Sequence, residues 1–436
     1  MMIFKRILFL ATLFLFMMAP EFSEARVLSL DDCITEALKN HPDVVRARGQ
    51  VKRADGVLWQ SFGAFLPNIS AGGSVTQINS EPGVRVIQDQ LYQTSGITKN
   101  YDLGLSAGLT VFDGGQNIFN YLGARADKSY YKYLSEQTEQ NLILTVKTTY
   151  YSYLASERTK EIREEAVKRG EEQLKLAQSK FDVGSASKSD VLKAKVQYGN
   201  DKLSLLEAEN AVSINRANLA YLIGIDVNSD IEFSRETPKR DYSGSENEAL
   251  KFGLSNHPGL LSTESKLSAA RYGVKSIWGR YAPSVSVRVS RGWTNEYWGM
   301  VNDFSDDDAR WTISTSLDFT IFDNFSRKAA MASAKASLND ARVAYHYQRN
   351  SVANEIKKAY LDMNKAFEAL KLADENESAA TEDMALVQEK YNLGAATILE
   401  LLDAQVSLIT AQNSKIQAEF DLNLAIARLE NAMGKR

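Results

Sequence analysis

Three acids that follow two glycine turns are the side chains with the clearest chemical work to do. In Tyr391–Gln405, YNLGAATILELLDAQ, Gly394 interrupts a helical pattern, and Glu400 and Asp403 follow as it resumes. In Phe181–Lys195, FDVGSASKSDVLKAK, Gly184 makes the same break and Asp190 stands where Glu400 does. Two uses are open to carboxylates placed this way. The first is local: Gly394 ends one helix in a left-handed conformation, Thr397 caps the next, and Glu400 completes a T-x-x-E box. Ser187 and Asp190 offer the same layout. The second is electrostatic. Asp403 lies beyond the first helical turn on nearly the same face as Glu400, where like charges are unfavourable unless they face water. Capping accounts for Gly184, Gly394, Thr397 and most of Glu400, and leaves Asp403 unexplained.

Other chemistry is scarce. His41, His257 and His346 are scattered, and two of them sit in repeated NHP turns, which favours structural roles over a metal site. Asp303, Asp306, Asp307 and Asp308 form an acidic patch in the loop before the fourth strand, either a cation-collecting surface or a solvated loop. No nucleophile–base pair, phosphate loop or zinc spacing is present, so neither catalysis nor a cofactor is expected. Cys33 is the single cysteine, which precludes an intrachain disulfide; following Asp31 and Asp32, it reads as a structural thiol rather than an acylation site.

The elements that position the acids are written twice. NHP at Asn40–Pro42 recurs at Asn256–Pro258, and Pro67 corresponds to Pro283, each 216 residues on. Phe112–Asp113 returns as Phe322–Asp323, Tyr150 as Tyr360, Gly184 as Gly394 and Gly224 as Gly434, each 210 residues on. The six-residue change between these offsets belongs in a surface loop. So long a period means two fused copies of one large unit rather than a solenoid. Each copy reads helix, strand pair, very long helix, turn, helix. All seven prolines lie outside the four main helical stretches, 116–182, 187–223, 326–392 and 397–433. Val352, Ile356, Ala359, Met363, Ala366, Leu370 and Ala373 step by four and three, a coiled-coil seam. The longest helices should extend about 100 Å.

Between the helices the period switches to two. Tyr101, Leu103, Leu105, Ala107, Leu109 and Val111 alternate with small and polar residues; Trp311, Ile313, Leu317, Phe319 and Ile321 do the same, as do Val285, Val287, Val289 and Trp293. A weaker, glycine-rich strand runs from Ile69 to about Ile78. Such strands suit half-buried hairpins of a soluble protein. They also match the roughly 9 to 11 residues that cross a bilayer at a tilt. Tyr101, Trp293 and Trp311, near the loop ends, suit an interfacial aromatic girdle, which favours the membrane. Four strands are too few to close a barrel, since single-chain barrels begin at about eight. Open edges in lipid leave backbone groups unpaired at a cost of several kcal/mol each. Three chains would supply about twelve strands around an axis.

At the N-terminus, Lys5 and Arg6 precede an apolar run from Ile7 to Met18, with Ser23-Glu24-Ala25 at cleavage-site spacing, so 1–25 is expected to be a signal peptide. No later run is apolar enough for a transmembrane helix, so an exported chain of this kind enters a membrane as strands. At 436 residues, 44% hydrophobic and 24% charged, the chain is too long for one ordinary domain and too apolar for disorder. Its net charge of -4, without a dense basic run, argues against nucleic acid as a partner.

The duplicated plan, Pro67 and Pro283 before strands one and three, and the paired VGSASKSDVLKA and LGAATILELLDAQ turns resemble the TolC-like outer-membrane efflux proteins. The resemblance covers nearly all of the chain after residue 25. It implies an α+β membrane protein: a homotrimer with a 12-stranded barrel in the outer membrane of a Gram-negative bacterium, joined to a long periplasmic α-helical coiled-coil barrel. On that plan the segments are 26–66 (helical), 67–113 (β-hairpin in outer-membrane lipid), 114–224 (long helical hairpin) and 225–245 (equatorial linker). The second copy follows as 246–282, 283–323 and 324–436. The resemblance further implies a passive exit duct, for efflux or type I secretion, that meets a periplasmic adaptor and an inner-membrane pump.

Residue by residue, the resemblance places Glu400 and Asp403 at the closed periplasmic entrance, where threefold symmetry would make a ring of six carboxylates that attracts cations. It places Tyr391, Ser189 and Asp190 at latch positions, with a Tyr391 hydroxyl to Asp190 bond, and Gly184, Ser185, Gly394 and Ala395 at the tips that meet the adaptor. One departure matters. The family's best-known member has an arginine two residues after the second turn glycine, where this chain has Ala396. Lys188 and Lys193 are either its substitutes or solvated surface lysines. The competing class is a structural trimeric coiled coil or adhesin anchored by its strands, which has no need of two matched turns with acids beyond them. A periplasmic adaptor would carry one helical hairpin among soluble β domains, not a whole-chain duplication.

Overall fold

A computed structural model describes residues 26–79, 81, 83–93, 96–229, 231–235, 242–304 and 309–435. The expected signal segment 1–25, and Asp306, Asp307 and Asp308 of the acidic patch, lie outside the described residues. In chain order the first copy runs β1 (Arg26–Leu28), α1 (Leu30–Asn40), α2 (Pro42–Gly63), β2 (Asn68–Asn79), β3 (Val84–Ile87), β4 (Gln90–Gln93), β5 (Ile97–Phe112), α3 (Gln116–Asp182) and α4 (Lys188–Ile223). After β6 (Ile231–Phe233), the second copy runs α5 (Glu246–Asn256), α6 (Pro258–Gly279), β7 (Ser284–Asn295), α7 (Trp298–Val301), β8 (Ala309–Asp318), α8 (Ser326–Asn392) and α9 (Ile398–Met433). Both α3 and α8 have 67 residues, and both α4 and α9 have 36. Among the described residues no helix is long and apolar enough to cross a membrane.

Two units divide the chain. One holds the described residues up to Val45, Glu139–Ala249 and Glu355–Arg436; the other holds Arg46–Thr138 and Leu250–Asn354. In the first unit, a core of Leu28, Leu30, Cys33, Val44, Val146, Tyr150, Leu219 and Phe233 joins α1, α3 and α4 to the β1–β6 pair. These two three-residue strands run parallel, an arrangement the sequence periodicity does not signal. The Tyr150 hydroxyl donates to the Ser234 carbonyl at 2.6 Å, so a buried polar group closes the same core. Cys33 is fully buried and desolvation pushes its thiol up to about 12, in keeping with a structural thiol. The expected seam of α8 is buried at Val352, Ile356, Met363 and Ala373 and half-buried between them.

In the second unit, antiparallel strands make a four-stranded sheet in the order β2-β5-β7-β8. Pro67 and Pro283 stand immediately before β2 and β7. The six extra residues of the first copy fall where β3 and β4 form a separate hairpin, with Gln88 and Asp89 at positive φ in its turn. Two strand expectations need correction. The fourth strand stops at Asp318, not Ile321, because its partner ends: Asp318 pairs with Ser284, and Pro283 before it has no N–H. The Arg327 guanidinium takes up the Thr320 and Ile321 carbonyls instead, at 2.8 and 3.4 Å. Val111, assigned to the apolar face, falls at a bulge between Thr110 and Phe112, and Phe112 takes its place opposite Val285.

The duplication is also written in the backbone where strand becomes helix. Gly114 and Gly115 have φ of 69° and 83°; their counterparts Asn324 and Phe325 have 53° and 62°. Gly114 is required twice over, since a Cβ there would lie 2.3 Å from the Gly279 carbonyl oxygen.

Candidate entrance site at the paired turns

The two helical turns are built alike. After α3, Gly184 adopts φ 79°; its N–H donates to the Phe181 carbonyl at 2.9 Å, and the Ser185 N–H to that of Lys180 at 2.8 Å. After α8, Gly394 adopts φ 78°; its N–H donates to the Tyr391 carbonyl at 3.1 Å, and the Ala395 N–H to that of Lys390 at 2.7 Å. Each turn thus satisfies the last carbonyls of a long helix through a left-handed glycine.

A capping box opens the following helix in each copy. The Asp190 carboxylate accepts from the Ser187 backbone N–H at 2.9 Å, and the Asp190 N–H donates to the Ser187 hydroxyl at 3.2 Å. Glu400 accepts from the Thr397 N–H at 2.6 Å, and its own N–H donates to the Thr397 hydroxyl at 3.3 Å. The Ser187 hydroxyl and backbone N–H hold Asp190 below its ordinary carboxylate value, and the Thr397 N–H and hydroxyl do so for Glu400. Both acids are therefore turned back onto their own caps. Asp403 is exposed, and among the described residues it makes no hydrogen bond or ion pair. It is the acid of the three with its charge uncommitted.

Behind the turns lie two small apolar clusters. Ala177, Val191 and Ala194, with Leu174 and Phe181 against them, close the first turn. Met384, Tyr391, Ile398, Leu401, Ala404 and Leu408 close the second, and Leu176 of α3 packs into that cluster and joins the hairpins. Ala396, where the resemblance leads one to look for arginine, packs there too. Tyr391 is only 5% exposed. Burial first, and the charge of Asp190 second, raise its phenol above the ordinary value, so the hydroxyl stays a neutral donor. Asp190 is thus within electrostatic reach of Tyr391, although no hydrogen bond joins the two side chains. Ser189 is exposed. Lys188 sits 5.3 Å from the centre of the Phe181 ring and Lys193 lies beside Asp190, so both stay with the first turn.

Sequence reasoning missed Lys180. Its ammonium donates to the Tyr391 carbonyl at 2.5 Å and lies 4.0 Å from the centre of that ring. Lysine near a helix C-terminus is itself a weak signal, and the partner is 211 positions away.

In the sheet, register sorts the two faces. Ala71, Leu105, Arg291 and Trp311 share one row, and Gly73, Leu103, Trp293 and Ala309 the next. The opposite face carries Ser74, Asp102 and Thr294, where Asp102 accepts from Ser74 at 3.1 Å and Thr294 at 2.8 Å. One face is thus mainly apolar and the other polar. Of the aromatic residues singled out from the sequence, Trp311 is 62% exposed, whereas Trp293 is 5% exposed beneath Phe304. Tyr101 packs on Trp298. Arg291 lies against both Trp293 and Trp311; alternation places this basic residue on the apolar face, and the cross-strand register supplies the Trp311 ring that covers it.

Two matched turns, a duplicated helix–hairpin–helix plan and a sheet with one apolar and one polar face define a two-repeat channel-type architecture. The family model described as outer membrane efflux protein matches residues 33–225 and 251–435, and the chain belongs to that family. It is 24% identical over 411 residues to the outer membrane efflux protein BepC of Brucella suis, covering 93% of this chain and 85% of BepC. It is 21% identical over 417 residues to the outer membrane protein TolC of Vibrio cholerae, covering 93% and 90%. Its fold is similar to the crystal structure of the outer membrane protein VceC of Vibrio cholerae, with a TM-score of 0.80 at 17% identity over 93% of this chain and 96% of that one.

Proposed function

We propose that this chain forms the outer-membrane exit duct of an efflux or secretion assembly, a passive channel gated at its periplasmic helical tips. Family membership over both repeats carries the reading. The sheet supports it: four strands with a polar face and, among the described residues, two unpaired edges suit a third of a barrel whose lumen is wet. Three chains close the barrel, and a periplasmic adaptor and an inner-membrane pump complete the assembly. The adaptor meets Gly184, Ser185, Gly394 and Ala395. Asp403, with the charge of Glu400 behind it, forms the cation-attracting ring. Tyr391, Ser189 and Asp190 belong to the latch, and Tyr101 and Trp311 to the outer girdle, with Trp293 covered by Phe304 beneath it. As a duct with no chemistry of its own, it takes its substrate from the pump.

Planar-bilayer recording tests this. The trimer should give a small, cation-selective conductance. Glu400→Ala/Asp403→Ala should raise it and weaken block by multivalent cations. A folded trimer that conducts nothing in either form leaves only the structural coiled-coil reading.

A further inference from the structure

We propose that Lys180 is the cation that ties the two helical turns of one chain together and so holds the entrance closed. The proposal rests on the channel reading above and names what fastens that channel's gate. Tyr391 O is one of the last carbonyls of α8, at the negative end of a helix, and an ammonium there meets that end and the negative face of the Tyr391 ring together. Among the described residues no carboxylate pairs with Lys180, so its charge is given to the helix end. The contact joins the C-terminal turn of α3 to that of α8. If the gate opens by moving one turn away from the other, this bond must break.

The repeat supplies an internal comparison. Lys390 is the counterpart of Lys180, 210 positions on, yet it is exposed and its charge acts on Glu400 of its own turn. Phe181, the counterpart of Tyr391, is met by Lys188 from its own turn. The crossing contact therefore belongs to one copy's lysine and not to a property of the motif. It also accounts for Ala396: the position is apolar and packed, while the cation comes from the other hairpin and is aimed at main chain. A latch of that kind does not depend on an ionised acceptor side chain.

The experiment compares full-length trimers in planar bilayers. Lys180→Met keeps the stem and removes the charge, and should raise the conductance severalfold; Lys180→Arg should stay near the wild-type value. Lys390→Met should move it far less. Tyr391→Phe keeps the carbonyl and ring that Lys180 uses, and should open the channel less than Lys180→Met. If Lys180→Met does not assemble, Lys180→Leu is read in its place. A wild-type conductance in the uncharged variant, with Glu400→Ala/Asp403→Ala still altering the current, overturns the Lys180 link alone. So does opening by Tyr391→Phe without opening by Lys180→Met. If no variant conducts, the channel reading falls and the link falls with it.

Discussion

At the second turn one carboxylate caps a helix and also contributes charge, and substitution separates the two uses. Glu400→Gln leaves an acceptor for the Thr397 N–H, as glutamine does in capping boxes, while Glu400→Ala removes acceptor and charge together. The Gln variant should weaken multivalent-cation block and leave amide hydrogen exchange at the turn unchanged; the Ala variant should alter both. Acid acts on the same hydrogen bonds. Glu400 and Asp190 have depressed folded-state values, so their contribution is present above the ordinary carboxylate range and lost as pH falls through those depressed values. Exchange protection at both caps should stay flat from neutrality to about pH 5 and decline below about pH 4. A decline already under way near pH 6 would show that some other group controls the turns.

Between elements the energetics rest on a few buried polar contacts, and Lys147 with Glu430 is the clearest. Their charged atoms are 3.1 Å apart, tying α3 to α9, with side chains only 6% and 16% exposed. Removing one partner takes this contact from a charge that stays largely buried, at a cost of about 3–5 kcal/mol for a buried pair, while a matched apolar pair is often close to neutral. Lys147→Met should therefore lower stability more than Lys147→Met/Glu430→Leu does, measured by unfolding in detergent; equal losses would mean that the pair is not buried in the assembled protein. Elements this long were legible in the sequence because local rules agree along them. No proline interrupts α3, α4, α8 or α9, and Ser187, Gly224, Thr397 and Gly434 mark their ends. The capping role of Asp190 and Glu400 was legible for the same reason. Pieces that depend on distant partners were not. β1 has three residues and exists because β6 lies beside it, β8 stops where β7 runs out, and Lys180 finds a carbonyl in the other repeat. Periodicity carries no information about such pairings.

For the whole molecule the decisive feature is the sheet's pair of open edges. In the order β2-β5-β7-β8, β2 and β8 each present one side without a strand partner among the described residues. In a bilayer those N–H and C=O groups cannot turn to water, so each must find a strand from another chain. Pairing β8 of one copy with β2 of the next is a heterologous contact, and it ends in a closed ring only if the rotation between copies closes. Cysteines on the polar face of the two edge strands test this. Ser74→Cys combined in turn with Thr312→Cys, Ser314→Cys and Ser316→Cys scans the unknown register for a pair within disulfide reach. Cys33 is buried with its thiol pushed up to about 12, so it does not compete. Oxidation of detergent-solubilised protein should give covalent dimers and trimers, with trimer as the largest product, for at least one pair. A ladder running beyond three would mean an open filament of strands, and monomer from every pair would mean that the edges never meet. Either outcome leaves the polar face without a lumen to line, and the duct could not form.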